Sequence, residues 1–237
     1  MITRDVTYQA GGKTLTGYLA TPENAGKRPG ILIFHQGGGL RDHEKERARM
    51  LADLGYVAFA ADMYGAVATK MEEAMPLMQE LVKNPPLLQE RAMGALAQLK
   101  AHAGTDTAKL AAIGFCFGGG VVIELSRSAP ELACVVAFHP GMAQLPDKDD
   151  RKVHGKVLVC AGQKDPLIPA EAREKFIGLM NAAGADWQLI TYGKAGHSFT
   201  DKSVDALGMP GFNYDADTDK RSWAAMRQMF DETFGAP

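Results

Sequence analysis

The sequence predicts an α/β fold in which a mostly parallel central sheet carries helices on both faces. From residue 31 onward, short and wholly apolar segments alternate with stretches that suit helices. Apolar strands are typical of a sheet that is covered on both faces, and the alternation is typical of parallel pairing. The chain has 237 residues, of which 46% are hydrophobic, and this is enough for one sizeable core. We therefore expect a single domain over residues 1–237.

The elements of this fold can be placed in order along the chain. Weak alternation around the glycines at 11–12 predicts an opening β-hairpin. Asp42 is expected to cap a charged helix that reaches about Leu54 and ends at Gly55. Two helices are expected within 69–103, divided by the prolines at 85–86, with the second over 88–103. The predicted strands are 6–9, 15–20, 31–34, 57–60, 110–113, 134–138, 157–161 and 187–191, and further helices are expected after residue 118 and over 170–183 and 217–234.

Composition and charge argue against several functions. A net charge of −2 and an isoelectric point near 6.3 give no electrostatic basis for binding nucleic acid or an anionic membrane. The chain has no run of about 18 apolar residues and no apolar stretch of a signal peptide at its start. The three cysteines cannot all pair and have no metal-ligand spacing. We expect a cytoplasmic monomer or homodimer.

The segment Gly114-Phe115-Cys116-Phe117-Gly118 has the pattern G-x-C-x-G. An apolar strand leads into it, and a stretch that suits a helix follows it. This context is typical of a nucleophile elbow, in which the reactive side chain lies on a strained turn between strand and helix. Neighbouring residues must be small there, and glycine allows the close approach of the backbone. We interpret Cys116 as a nucleophile.

Two later loops carry the residues that such a nucleophile needs. Asp165 follows the apolar strand 157–161, and His197 lies in the loop after strand 187–191. Functional groups gather where the strands of an open α/β sheet end. His197 would act as base and then as acid, while Asp165 would fix the imidazole tautomer and stabilise its charged form. The order nucleophile, acid, histidine is that of the α/β-hydrolases.

Negative charge that develops on a substrate oxygen needs preorganised donors. The backbone N–H of Phe117, directly after the nucleophile, is one candidate. The other candidate is an N–H from the loop after strand 31–34, and Gly37 is the residue we expect to provide it. The start of the helix after Cys116 and a neighbouring imidazolium would both favour the thiolate.

Other residues with reactive side chains have simpler interpretations. Cys134 and Cys160 each lie inside a predicted strand and are expected to be core residues. The thioethers of residues 71, 75 and 78 share one helical face, for which core packing is favoured over an adaptable pocket wall. His139 follows a strand and is expected to support the site or line its wall. Asp165 precedes a proline, and taken alone it fits a turn former as well as a catalytic acid.

With these loops in place, the chain resembles the dienelactone hydrolase family from about Thr14 to Phe234. The motifs that carry the resemblance are Gly114-Phe115-Cys116-Phe117-Gly118-Gly119, Gly55-Tyr56-Val57, Asp62-Met63-Tyr64-Gly65, Ala161-Gly162-Gln163-Lys164-Asp165 and His197-Ser198-Phe199. The resemblance implies an α/β-hydrolase fold and a Cys116–His197–Asp165 triad that acts on esters or lactones. It implies no metal and no organic cofactor.

The chain departs from the family pattern at two places. Gln36 stands where the best-known members carry a glutamate, so activation of Cys116 is expected to depend on His197. No arginine lies next to Tyr64 or directly after His197, and Asp201 would repel a carboxylate. An uncharged substrate is therefore expected, in a pocket whose candidate residues are Gln36, Tyr64 and Phe199.

The sequence leaves three functions open. The first is a thiol-dependent hydrolase of carboxylic esters or lactones that forms an acyl-enzyme. The second is a hydrolase of neutral organophosphate triesters that uses the same thiolate. The third is a non-hydrolytic binding or redox-sensing protein, because an exposed reactive thiol is also a target of oxidation.

Overall fold

The computed structural model describes residues 1–23, 26–142 and 145–235 of the chain. It has an eight-stranded sheet with the strand order β1-β2-β4-β3-β5-β6-β7-β8. The strands are β1 (Ile2–Ala10), β2 (Lys13–Thr21), β3 (Arg28–Phe34), β4 (Val57–Ala61), β5 (Thr105–Phe115), β6 (Leu132–Phe138), β7 (Lys156–Gly162) and β8 (Asp186–Tyr192). The helices are α1 (Asp42–Asp53), α2 (Met71–Val82), α3 (Pro85–Ala101), α4 (Phe117–Ser128), α5 (Ala170–Ala182) and α6 (Ala216–Phe234), with a 3-10 helix over Lys202–Leu207. The predicted α/β class is confirmed.

The sheet combines an antiparallel edge with parallel strand pairs. β1 and β2 form the predicted antiparallel hairpin, and β2 also pairs antiparallel with β4. The pairs β3–β4, β6–β7 and β7–β8 are parallel. All residues of β4 are buried, as are nearly all of β3, β6 and β7. Strands that are buried on both faces account for the apolar runs in the sequence.

Tertiary contacts divide the chain into two compact units. Met1–Ile113 makes up most of the first unit and Gly114–Gly235 the second. In the first unit, α1 packs on β2 and β4, and α3 packs on β1, β3 and β4. In the second, α4 and α6 pack on β6 and β7. The single domain over residues 1–237 stays a prediction, and six residues of that range lie outside the described part of the chain.

Two helix starts differ from the predictions. Asp42 is the first residue of α1 and not its cap, because Oε2 of Glu44 accepts the N–H of Arg41 at 3.1 Å instead. α3 begins at Pro85 and not at Leu88. Proline is tolerated in the first turn since its missing N–H would have no helical partner there, and Asn84 Oδ1 accepts the N–H of Leu87 at 3.3 Å.

The preference for core packing of the methionine face of α2 was wrong for two of its three residues. Met71 is 48% exposed and Met75 is 36% exposed. Met78, one turn further along, is half-buried and close to Gly37, where a Cβ would lie 3.9 Å from its sulfur. The inner end of this face therefore packs beside the loop that follows β3.

Candidate active site

The candidate nucleophile lies on a strained turn. β5 ends at Phe115 and α4 begins at Phe117, so that Cys116 alone links them. Its φ of 51° and ψ of −111° are rarely adopted by a residue with a side chain. A Cβ on Gly114 would overlap the carbonyl oxygen of Gly118, and one on Gly119 would lie 2.7 Å from the ring of Pro140. Gly114, the first glycine of the G-x-C-x-G pattern, and Gly119, just beyond it, are thus required for this turn.

The candidate acid and base are joined directly. Asp165 Oδ2 accepts a hydrogen bond from Nδ1 of His197 at 2.8 Å, and both side chains are almost fully buried. The other oxygen, Oδ1, accepts the N–H of Leu167 at 2.8 Å and so fixes the carboxylate. Because Nδ1 faces Asp165, Nε2 is the ring nitrogen that remains for an interaction with Cys116.

Charge on Cys116 and His197 is coupled. Burial alone would lower the pKa of His197, but the charge of the Cys116 thiolate, together with the hydrogen bonds of the imidazolium to Asp165 and Cys116, outweighs burial and raises this pKa to about 10. The coupling is reciprocal, since an imidazolium stabilises a thiolate as much as the thiolate stabilises the imidazolium. The imidazolium form of His197 is therefore stabilised when Cys116 is ionised.

The segment after the 3-10 helix holds the His197 loop in place. The N–H of His197 donates to the carbonyl of Gly211 at 2.7 Å, and the N–H of Asn213 donates to the carbonyl of His197 at 3.2 Å. Phe212 forms a β-bridge with His197, and the two rings meet edge to face at 4.9 Å. The sequence left the position of residues 207–214 open. Part of this segment pairs with the histidine loop.

A second buried histidine lies beside the candidate base. The ring of His139 is 5.3 Å from that of His197 and 5.0 Å from that of Phe199, in edge-to-face contacts. Its Nε2 is 2.8 Å from Oγ1 of Thr200. His139 has a φ of 38°, which is unusual for a residue with a side chain. His139 therefore supports the His197 loop. Phe199, whose ring contacts that of His139, is fully buried.

The first unit carries the remaining predicted residues on neighbouring loops. Gln36 and Gly37 follow β3, and Tyr64 follows β4. Tyr64 is 1% exposed and its ring contacts that of His35 at 4.6 Å. The roles of Gln36, Tyr64 and Phe199 in a pocket, and of the Gly37 and Phe117 N–H groups in an oxyanion hole, stay predictions.

Sequence reasoning overlooked two residues near this loop. Glu44 is 1% exposed and accepts the N–H of Gln36 at 3.2 Å. Arg41 lies over Gly38, where an added Cβ would be 2.6 Å from its guanidinium carbon. Arg41 lies in neither of the two segments, beside Tyr64 and after His197, in which a carboxylate-binding arginine was considered. A buried glutamate on a charged helix leaves no sequence signal beyond its place three residues after the N-cap.

The other two cysteines are structural. Cys134 and Cys160 are fully buried in β6 and β7, as predicted. Burial raises the pKa of each thiol to about 12, so neither is a competing nucleophile. Within the described residues, no group of three or more histidine, cysteine or acidic side chains could hold a metal ion. No helix in the described ranges is long and apolar enough to cross a membrane.

The fold, with its strained strand–turn–helix step at Cys116, is that of an α/β-hydrolase. The family model of the dienelactone hydrolase family matches residues 15–234, and the chain belongs to that family. It is thus a hydrolase of carboxylic esters or lactones, as the sequence predicted.

Relatives and solved structures agree with this assignment. A structure designated m3DLH has a TM-score of 0.93 and 43% identity, covering 98% of each chain. A structure described as a dienelactone hydrolase-like promiscuous phosphotriesterase from metagenomic libraries has a TM-score of 0.93 and 39% identity, covering 99% of each chain. A Yersinia pestis protein named as a carboxymethylenebutenolidase is 29% identical over 95% of this chain and 86% of its own length.

Proposed function

We propose that the protein hydrolyses uncharged carboxylic esters or lactones through an acyl-enzyme on Cys116. The observation that carries the proposal is the chain of interactions from Asp165 Oδ2 through the ring of His197 to Cys116. A carboxylate, an imidazole and a thiol in this order activate a nucleophile, and the strained turn presents that thiol at the start of a helix.

The reaction has two halves with His197 in two roles. The thiolate of Cys116 attacks the carbonyl carbon, and the carbonyl electron pair moves to oxygen, where the N–H groups of Gly37 and Phe117 would stabilise it. Collapse of this intermediate expels the alcohol, which takes its proton from the His197 imidazolium and leaves a thioester. His197 then removes a proton from water as the water attacks the thioester. The second tetrahedral intermediate collapses, the bond from carbon to Cys116 Sγ breaks, and the carboxylic acid is released. The expelled thiolate then pairs again with the imidazolium of His197.

Alkylation of Cys116 tests the nucleophile directly. Iodoacetamide should modify a single thiol of the native protein and abolish hydrolysis of p-nitrophenyl butyrate, because Cys134 and Cys160 are buried. Modification is read by mass spectrometry of the intact protein and of its peptides. The variants Cys134→Ser and Cys160→Ser should still be inactivated. Full activity after complete alkylation of Cys116 would overturn the proposal.

The preference for uncharged substrates has its own test, because Arg41 stands on the loop after β3. We expect a neutral p-nitrophenyl ester to have a higher kcat/KM than a p-nitrophenyl ester with a free carboxylate. Arg41→Gln should change this ratio little. A preference for the carboxylate ester that is lost in Arg41→Gln would contradict the proposal and make Arg41 the carboxylate-binding residue.

A second candidate activity is the hydrolysis of neutral organophosphate triesters. The observation in its favour is the 39% identity to the structure described as a promiscuous phosphotriesterase. Thiolate attack on phosphorus would use the same donors for the phosphoryl oxygen. Incubation with paraoxon should release p-nitrophenol in the wild type and not in Cys116→Ala. The absence of both turnover and a phosphoryl adduct on Cys116 would remove this activity.

The third function considered from the sequence, a non-hydrolytic binding or redox-sensing protein, is set aside because the chain belongs to a hydrolase family.

A further inference from the structure

The loop between β3 and α1, residues 36–41, is held at both ends by one buried carboxylate. Glu44 Oε1 accepts the N–H of Gln36 at 3.2 Å, and Oε2 accepts the N–H of Arg41 at 3.1 Å. Glu44 is 1% exposed. Hydrogen bonds to an ionised acceptor are stronger than those between neutral groups, so this clamp fixes where the glycine-rich loop begins and ends.

The carbonyl group of Gln36 is held as well. It accepts a hydrogen bond from Nδ1–H of His35 at 2.6 Å and another from the N–H of Gly39 at 3.2 Å. Nε2 of His35 accepts the N–H of Met63 at 3.1 Å and so carries no proton. In a neutral imidazole the proton is then on Nδ1, which is therefore the donor. His35 is fully buried.

These contacts determine the direction of one N–H group. A trans peptide is planar, so the carbonyl of Gln36 and the N–H of Gly37 belong to one rigid unit and point in opposite directions. Fixing the carbonyl therefore fixes the N–H. Within the described residues, no hydrogen bond is made by the N–H of Gly37, so the fold leaves this donor available.

We infer that Glu44 and His35 are positioning residues that aim the N–H of Gly37 as an oxyanion donor. The inference rests on the proposed function, in which that N–H stabilises the tetrahedral intermediate. Catalysis by such donors depends on their being oriented before the reaction, and loss of one donor lowers kcat by roughly 100- to 1,000-fold. Loosening the loop should cost part of that factor.

The substitution Glu44→Gln separates this role from helix capping. A glutamine at this position can still accept the N–H of Arg41, and glutamine is an accepted third residue of a capping box. Its NH₂ group would then face the N–H of Gln36. Because both groups are donors, the hydrogen bond that holds Gln36 would be lost. We expect kcat for p-nitrophenyl butyrate to fall by about tenfold or more, with little change in KM and in melting temperature. Glu46→Gln, an exposed glutamate on the same helix, is the matched control.

A pair of substitutions at His35 provides a second route. Asparagine places an NH₂ near the position of Nδ1 and can still donate to the carbonyl of Gln36. Glutamine reaches the position of Nε2 and can accept from Met63 without holding that carbonyl. We expect His35→Asn to retain a higher kcat than His35→Gln, at comparable folded fractions measured by circular dichroism.

The rate of iodoacetamide alkylation of Cys116 separates the possible outcomes, since alkylation does not use an oxyanion hole. A lower kcat with an unchanged alkylation rate supports the inference. An unchanged kcat in Glu44→Gln overturns it, as does a parallel loss of kcat, alkylation rate and melting temperature, which would make Glu44 a purely structural residue. Failure of the proposed function itself would appear separately, as full esterase activity in Cys116→Ala.

Discussion

Asp165 and His197 are residues whose separate roles can be measured. The carboxylate of Asp165 holds Nδ1 of His197 as a donor at 2.8 Å. Asp165→Asn preserves the shape of the side chain but can present its NH₂ to Nδ1, which would favour the wrong tautomer. We expect kcat to fall by roughly 10²- to 10⁴-fold, as for the aspartate of other triads.

The measurement for Asp165→Asn is a kinetic comparison with Asp186→Asn, an exposed aspartate at the start of β8. The control removes the same charge and should keep wild-type kcat. A kcat for Asp165→Asn within twofold of the control would show that Asp165 is only a turn residue, the simpler interpretation that its sequence context allowed.

At the scale of elements, the strand–turn–helix unit around Cys116 depends on glycine. A Cβ on Gly114 would overlap the backbone of Gly118, and backbone atoms cannot move aside as a flexible side chain can. Gly114→Ala should therefore lower the free energy of unfolding by several kcal/mol, at the upper end of what single substitutions cost, roughly 4 kcal/mol.

The control for Gly114→Ala is a glycine in a helix with open space around it. Gly178 lies within α5, and an added Cβ there meets nothing within 4 Å. Gly178→Ala should raise stability by about 0.5–1 kcal/mol, the usual difference between these residues in a helix. Urea unfolding of both variants measures the two effects, and equal changes in both would contradict the argument.

The sequence was sufficient for the elements that have strong local patterns. The apolar runs predicted the buried strands, and the hairpin, the helix end at Gly55 and the strand–helix step at Cys116 all have turn chemistry that can be read locally. The extent of β5 could not be predicted, because its first half carries polar residues and its pairing is non-local. The start of α3 was missed since prolines suggested a break, although proline is favoured in a first helical turn.

Only the residues of the candidate site that lie in a local sequence pattern could be predicted. Cys116, Asp165 and His197 follow strands in a motif order that the sequence displays. Glu44 and Phe212 have no such motif, because their contacts with the loops depend on how distant segments pack. Arg41 lies on a third loop, far in sequence from the segments beside Tyr64 and after His197 in which an arginine was considered.

For the whole molecule, two histidines give stability opposite dependences on pH. Burial lowers the pKa of His35 from 6.5 to about 4, so the unfolded chain binds the proton more tightly. The contribution of His35 is complete above about pH 6.5 and is lost as the pH falls through 4, by roughly 3 kcal/mol in all. His197 has a raised pKa of about 10, so its contribution is present below pH 6.5 and is lost as the pH rises towards 10.

These contributions predict that stability is greatest near pH 6 to 7 and falls on both sides. Urea unfolding between pH 4 and 10 measures the free energy of unfolding at each pH. Variants of the two histidines show which one causes the fall on each side. His35→Gln should flatten the acid side, since glutamine keeps an acceptor for Met63 and does not titrate. His197→Gln should flatten the alkaline side. A profile that is unchanged in both variants would contradict these pKa shifts.

The central claim, an acyl-enzyme on Cys116, is tested most directly by trapping the intermediate. The wild type is mixed with excess p-nitrophenyl butyrate, quenched in acid within the burst phase and digested for mass spectrometry, with His197→Ala and Cys116→Ala as the comparison variants. We predict a butyryl group on the peptide that contains Cys116, its absence in Cys116→Ala, and a burst of p-nitrophenol equal to the amount of adduct. A burst without an adduct on Cys116, or turnover that persists in Cys116→Ala, would contradict the account.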